Sequence, residues 1–86
     1  VAPLEESVHA ELGDLLLAAE RPAEALDEFN ALAALEPHDQ ASLNLRLAKA
    51  YLGLEDTAKA NEHLLYALEI APHYREAQQL LLEIIR

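Results

Sequence analysis

Apolar residues recur along this chain at the spacing of one helix face, and nowhere with the period of two that a half-buried strand needs. Val8, Leu12, Leu15 and Leu16 form a first stripe. Ala25, Leu26, Phe29, Leu32 and Ala33 form a second, and Leu43, Leu47, Ala50, Tyr51 and Leu54 a third. Ala60, Leu64, Ala67 and Leu68 make the fourth, and Ala77, Leu81, Leu82 and Ile85 the fifth. Pro22 suits a first helical turn, where its missing N–H is not needed. Asp39 and Asp56 are good N-caps. Pro37 and Pro72 end the second and fourth helices, because the residue before a proline is pushed out of helical geometry. The pattern predicts five antiparallel helices over residues 4–19, 22–36, 40–53, 57–71 and 74–86 in an all-α fold.

Sliding the chain by 35 residues superimposes its two halves. Leu12-Gly13 falls on Leu47-Ala48, Leu16 on Tyr51, Ala25 on Ala60, Phe29 on Leu64 and Pro37 on Pro72. The small residues have a mechanical task. Gly13 and Ala48 let the hairpin partner approach closely, as Ala25 and Ala60 do from the other side, while Phe29, Leu64 and Tyr51 fill the remaining space. Neither hairpin can bury its stripe alone, so two of them stack.

This arrangement resembles the tetratricopeptide repeat, whose signature reads W-x2-L-G-x2-Y, then A-x3-F, then P. The first copy here is His9-x2-Leu12-Gly13-x2-Leu16, Ala25-x3-Phe29, Pro37; the second is Asn44-x2-Leu47-Ala48-x2-Tyr51, Ala60-x3-Leu64, Pro72. The resemblance implies a right-handed α-α superhelix, a solenoid with repeat one at about 6–39, repeat two at about 41–74 and a terminal helix at about 74–86. Residues 1–86 are then a single domain. The chain departs from the family pattern at the tryptophan place, which holds His9 and Asn44. Glu20 and Glu55 stand where a glycine usually closes the first helix, and the link between the repeats is one residue longer. The chain begins at Val1, contains no Met, and has Pro3 nine residues before Leu12 as Pro72 is before Leu81. Val-Ala-Pro is therefore expected to be the tail of an earlier repeat or linker, in a segment of a larger protein.

Composition narrows the function. The formal charge of −10 argues against nucleic acid and against an anionic membrane surface. The charge is lopsided: residues 1–40 hold ten acids against Arg21 alone, a balance of −9, whereas residues 41–86 hold six acids against five bases, a balance of −1. No apolar run approaches the ~20 residues that cross a bilayer, so membrane insertion is not expected. Without Cys there is neither disulfide framework nor thiolate site, a composition that fits any compartment.

Candidate chemistry is sparse. Glu6-x-x-His9 has the spacing of a di-iron bundle ligand pair, but such a site needs a second Glu-x-x-His and two further carboxylates, and the chain has no second copy. His38 and His73 are expected in exposed turns and His63 on an outer helix face. Ser7 and Ser42 stand near helix starts, where capping or first-turn roles suit them. The acidic pairs Glu5-Glu6, Asp27-Glu28 and Glu55-Asp56 are sequence neighbours that diverge by ~100° on a helix. No enzyme, metal or cofactor is expected.

The resemblance implies instead a groove lined by the first helix of each repeat, holding a peptide or a partner's helix. Carried over by register, its lining is Ser7, Ala10, Glu11, Asp14 and Leu17 from helix one; Ser42, Leu45, Arg46, Lys49 and Leu52 from helix three; and Glu76, Gln79, Leu80 and Glu83 from helix five. Arg46 and Lys49 form a cationic spot for a carboxylate, unless they pair internally with Glu11 or Asp14 and with Glu83. Ala10 and Asp14 stand where chaperone-binding relatives carry their carboxylate clamp, so no tight binding of chaperone tails is expected. Leu80, Leu81, Leu82, Ile84 and Ile85 spread too far around helix five for one buried face. Another repeat, a partner protein or a second copy of the chain, giving a homo-oligomer through this end, is expected to cover the rest. The alternative to groove binding is a structural or dimerising role within a larger enzyme or assembly.

Overall fold

The computed structural model describes residues 3–85. It contains α1 (Pro3–Ala18), α2 (Pro22–Ala34), α3 (Gln40–Gly53), α4 (Thr57–Ile70) and α5 (Arg75–Ile85), with no strand among the described residues. The chain is therefore all-α. Each predicted helix is present with its ends displaced by two residues at most. Val1 and Ala2, expected as part of a preceding tail, and Arg86, expected to end the last helix, lie outside the described residues; Pro3 is the first residue of α1. Sequence neighbours are spatial neighbours, because short connections fold each helix back on its predecessor. The radius of gyration of 12.1 Å matches the ~12 Å expected of a globular chain of this length.

The caps explain the boundaries. The Asp39 side chain accepts from the Ser42 N–H and the Asp56 side chain from the Lys59 N–H, satisfying donors that the first turns of α3 and α4 leave free. Pro22 opens α2. The closing turns of α1, α2 and α3 each place a glutamate in the left-handed region, Glu20 at φ 59°, Glu36 at φ 51° and Glu55 at φ 62°. Around Glu20 the Arg21 N–H donates to the Leu16 carbonyl at 2.8 Å and the Glu20 N–H to Leu17 at 3.0 Å. Around Glu55 the Asp56 N–H donates to Tyr51 at 2.9 Å and the Glu55 N–H to Leu52 at 3.0 Å. These are Schellman closures built without the usual glycine. After α2 the outer bond of the pair is missing, because Pro37 occupies the donor position and has no N–H.

Two core clusters share α3. Leu43, Leu47 and Ala50 join Ala25, Phe29 and Leu32 of α2, with Ala10, Leu16 and Leu17 of α1 packed around them. Leu45 and Ala48 join Ala60, Leu64 and Ala67 of α4 and Ala77 of α5. Ala25, Phe29, Ala60 and Leu64 are wholly buried, as the repeated small-and-large pattern requires. A Cβ on Gly13 would collide with Phe29 Cε1, so the α1 backbone lies directly against the ring.

Two expectations are corrected. Val8, Leu12 and Leu15 do not enter the core: they are 50%, 41% and 67% exposed, and only Leu16 of that stripe packs against it. α1 is the first helix, and no described element lies outside it. His63 does not sit free on an outer face. It is half-buried, its ring is stacked on Tyr51 with centroids 5.4 Å apart, and its Nδ1 lies 2.8 Å from Asn44 Oδ1. The Asn44 amide donates to the Gln40 carbonyl at 2.8 Å, which turns Oδ1 toward the imidazole. Nδ1 must then carry the proton and donate. Burial depresses the His63 pKa; Glu62 opposes this and Lys59 adds to it.

Candidate functional site: the groove across the odd-numbered helices

α1, α3 and the start of α5 share one side of the molecule, and an open groove of about 470 Å³ lies between them. Its walls are Asp14, Leu17 and Ala18 from α1 and Ser42, Leu45, Arg46 and Lys49 from α3. Tyr74, just before α5, and Glu76 at its start complete it. The i, i+3, i+4, i+7 spacing from Ser42 to Lys49 puts all four α3 residues on one face.

Arg46 is the centre of this wall. Its Nε and Nη2 each donate to a carboxylate oxygen of Asp14 at 3.1 Å, and its Nη1 donates to Ser42 Oγ. The hydrogen bond to Asp14 raises the Arg46 pKa against the opposing effect of burial. Lys49 Nζ pairs with the Glu76 carboxylate on α5. Both cations are therefore engaged, and each ties α3 to one of its outer neighbours. The expected partner of Lys49 was Glu83; the pair forms with Glu76, which stands level with it. These pairs are about one-quarter to one-half exposed, and pairs of this kind contribute ~0–1 kcal/mol each. An incoming carboxylate can exchange with Asp14 or Glu76 at small cost.

Of the residues predicted to line the groove, Asp14, Leu17, Leu45, Arg46 and Lys49 come together in it. Leu45 is buried, so it contributes mainly to the floor. Ala10 is half-buried and lines a smaller adjoining hollow of about 170 Å³, beside Ser7, Asp39 and Ser42. Leu52 and Leu80 turn inward and pack against the second core cluster. Glu11, Gln79 and Glu83 are exposed and outside these hollows. Tyr74 was missed: it stands at the predicted start of helix five, off the register that gave Glu76, Gln79, Leu80 and Glu83, and it lies just before α5 in the structure. A further hollow of about 500 Å³, lined by Leu17, Glu20, Pro22, Lys49 and Gly53, continues the groove toward the α1–α2 turn.

The remaining polar candidates are dispersed. His9 Nδ1 lies 2.8 Å from Glu28 Oε1 on α2, which takes it away from any pairing with Glu6. His38 and His73 are exposed. Among the described residues, no three His, Asp or Glu side chains converge as a metal site would need. No described helix is long and apolar enough to cross a membrane.

No protein-family model, curated protein or solved structure matches this chain.

Proposed function

We propose that this chain is a protein–protein interaction module of the tetratricopeptide type, its helices winding as a right-handed superhelix whose inner face takes a peptide or partner helix. What supports the reading is the groove across α1, α3 and α5. It is open, polar at its centre and apolar at Leu17 and Tyr74, and its charges are held by exchangeable pairs rather than by buried ones. A ligand carboxylate would take over Arg46 or Lys49 while an apolar side chain covers Leu17 and Tyr74. Asp14 already occupies Arg46, and this favours ligands of moderate affinity over tight capture of a chaperone tail.

A second reading rests on a different observation. Both groove cations are satisfied within the chain, and large aliphatic residues are exposed at the ends of the helix stack, Leu4 and Leu15 on α1 and Leu82 and Ile85 on α5. On this reading the domain is a structural or dimerising part of a larger assembly and the groove stays empty. The two separate in one experiment. Partners captured by the wild-type chain are compared with those captured by Arg46→Glu/Lys49→Glu and by Asp14→Ala, which releases Arg46. Groove binding requires loss in the double variant and a gain for acidic peptides in Asp14→Ala. An unchanged set of partners in all three eliminates it.

A further inference from the structure

We propose that the outer face of α1 is a docking site for an amphipathic partner helix with an aliphatic stripe and basic flanks. Leu4, Val8, Leu12 and Leu15 are 77%, 50%, 41% and 67% exposed. At ~100° per residue they fall within about 80° of arc, one continuous stripe. An exposed contiguous apolar stripe of this kind marks an interaction surface.

The molecule itself shows what covers such a stripe. Val8, Leu12 and Leu15 stand 35 residues before Leu43, Leu47 and Ala50. In α3 those three residues are buried, clustered with Ala25, Phe29 and Leu32 of α2. The outer face of α1 thus repeats the face of α3 that receives a helix, with Val8 smaller than Leu43, Leu12 matching Leu47 and Leu15 larger than Ala50, and with no described helix in place. The occupant that fits is a helix with the apolar pattern of α2.

Charge decides the rest of its chemistry. Glu11 borders the stripe on one side and Glu5 on the other; both are exposed, and neither joins an ion pair among the described residues. Residues 1–40 carry ten acids and one base. A helix with Lys or Arg beside its apolar stripe would be attracted and set in register by these acids. A second copy docked through its own α1 would set acid against acid. The exposed end of α5 suits no better, since Leu82 is followed by Glu83. The groove reading is not needed here, because Asp14 and Leu17 lie on another side of α1 from the stripe.

The test uses two helical peptides, stapled on the face away from Phe29: residues 22–35 of this chain, and the same peptide carrying Glu24→Lys, Asp27→Lys and Glu28→Lys. Binding to the 86-residue chain is read by fluorescence anisotropy at low salt. The basic peptide should bind at least about 10-fold more tightly than the acidic one. That advantage should shrink in Glu5→Gln/Glu11→Gln. Leu15→Asp should weaken binding by about 10-fold or more, with its helical circular dichroism unchanged; Leu4→Ser provides a second variant should Leu15→Asp fail to fold. Arg46→Glu/Lys49→Glu should bind as wild type, which keeps this outcome separate from the fate of the groove. Equal or absent binding of the two peptides overturns the proposal. So does binding indifferent to Leu15 and Leu4, or self-association in sedimentation that Leu15→Asp abolishes, which would make a second copy the occupant.

Discussion

In the first hairpin the backbone of Gly13 lies against the ring of Phe29; thirty-five residues later Ala48 and Leu64 fill the same two places, all four buried. One hairpin joins its helices with no side chain against a large one, the other with a methyl group against a medium one. The polar joints differ in the same way. His9 on α1 meets Glu28 on α2 at 2.8 Å, and at the equivalent positions Asn44 on α3 meets His63 on α4 at 2.8 Å. The first pair is about one-third exposed and ionisable. The second is an amide and an imidazole beneath a stacked Tyr51. Register is therefore preserved by volume and by hydrogen-bonding reach, while the chemical identity of each partner is free to vary. The first described hairpin has the wetter solution, and the second, which packs between α2 and α5, has the drier one.

The largest expected effect comes from emptying the bulkier joint. Phe29→Ala should cost about 3–5 kcal/mol, and Leu64→Ala less, at the lower part of the about 2–5 kcal/mol typical of that change; urea unfolding of each variant measures both. Next is the steric half of the joint. Gly13→Ala would gain up to ~1 kcal/mol of helix propensity, yet its Cβ meets the Phe29 ring, and a net loss of about 1–3 kcal/mol is expected. Gly13→Ala/Phe29→Leu copies the second hairpin into the first and should be more stable than the two single changes sum to. Strict additivity in that double-mutant cycle would show that the two places are not coupled.

The polar joints should separate by exposure. Asn44→Ala leaves the His63 Nδ1–H without its acceptor in a half-buried setting and should cost about 1–3 kcal/mol. His9→Ala breaks a more exposed pair and should cost at most ~1 kcal/mol. A reversed order would mean that charge, not burial, governs these contacts. Acid provides a finer probe. The folded chain holds the His63 pKa below the ordinary value of about 6.5, so the unfolded chain binds the extra proton first. The contribution is intact above about pH 6.5 and is lost as pH falls through the depressed folded value. Chemical denaturation from about pH 7 to pH 5 should show stability declining, and His63→Phe, which can still stack on Tyr51, should flatten that slope.

The smallest effect is expected at the closing turns, where the two hairpins agree. Glu20→Gly and Glu55→Gly should each stabilise by about 0.5–1 kcal/mol, the relief of a left-handed side chain less the added freedom of the unfolded chain. A loss at either would show that the carboxylate itself does something there.

Helix positions were legible because apolar period and caps agreed at the starts of α2, α3 and α4: Pro22, Asp39 and Asp56 each act where the sequence placed them. Burial was less legible. Periodicity identifies an apolar face without saying whether anything lies against it, which is why Val8, Leu12 and Leu15 read as core and are exposed. His63 was misread for a related reason. Its partner is 19 residues upstream, on another helix, and a helical wheel compares only residues on the same one. The signal was present, since His9 and Glu28 have the same spacing as Asn44 and His63, and laying the repeats over each other for polar as well as apolar residues would have found it. Lys49 paired with Glu76 rather than Glu83 although α5 follows α3 in a register of 34, with Ala77, Leu81 and Ile84 in the places of Leu43, Leu47 and Ala50, which makes Glu83 its counterpart: equivalent positions on successive helices are not level in space.

Gly53 ends α3 where a side chain would not fit: its Cβ would stand 2.6 Å from Cβ of Pro22, at the start of α2. The two hairpins therefore touch at this point almost backbone to backbone, with a rigid ring as the contact. A fulcrum so placed fixes the tilt of one pair of helices on the other. Adding a single methyl group there would pry the hairpins apart at that end and reset how wide the trough opens, without altering a residue that lines its centre.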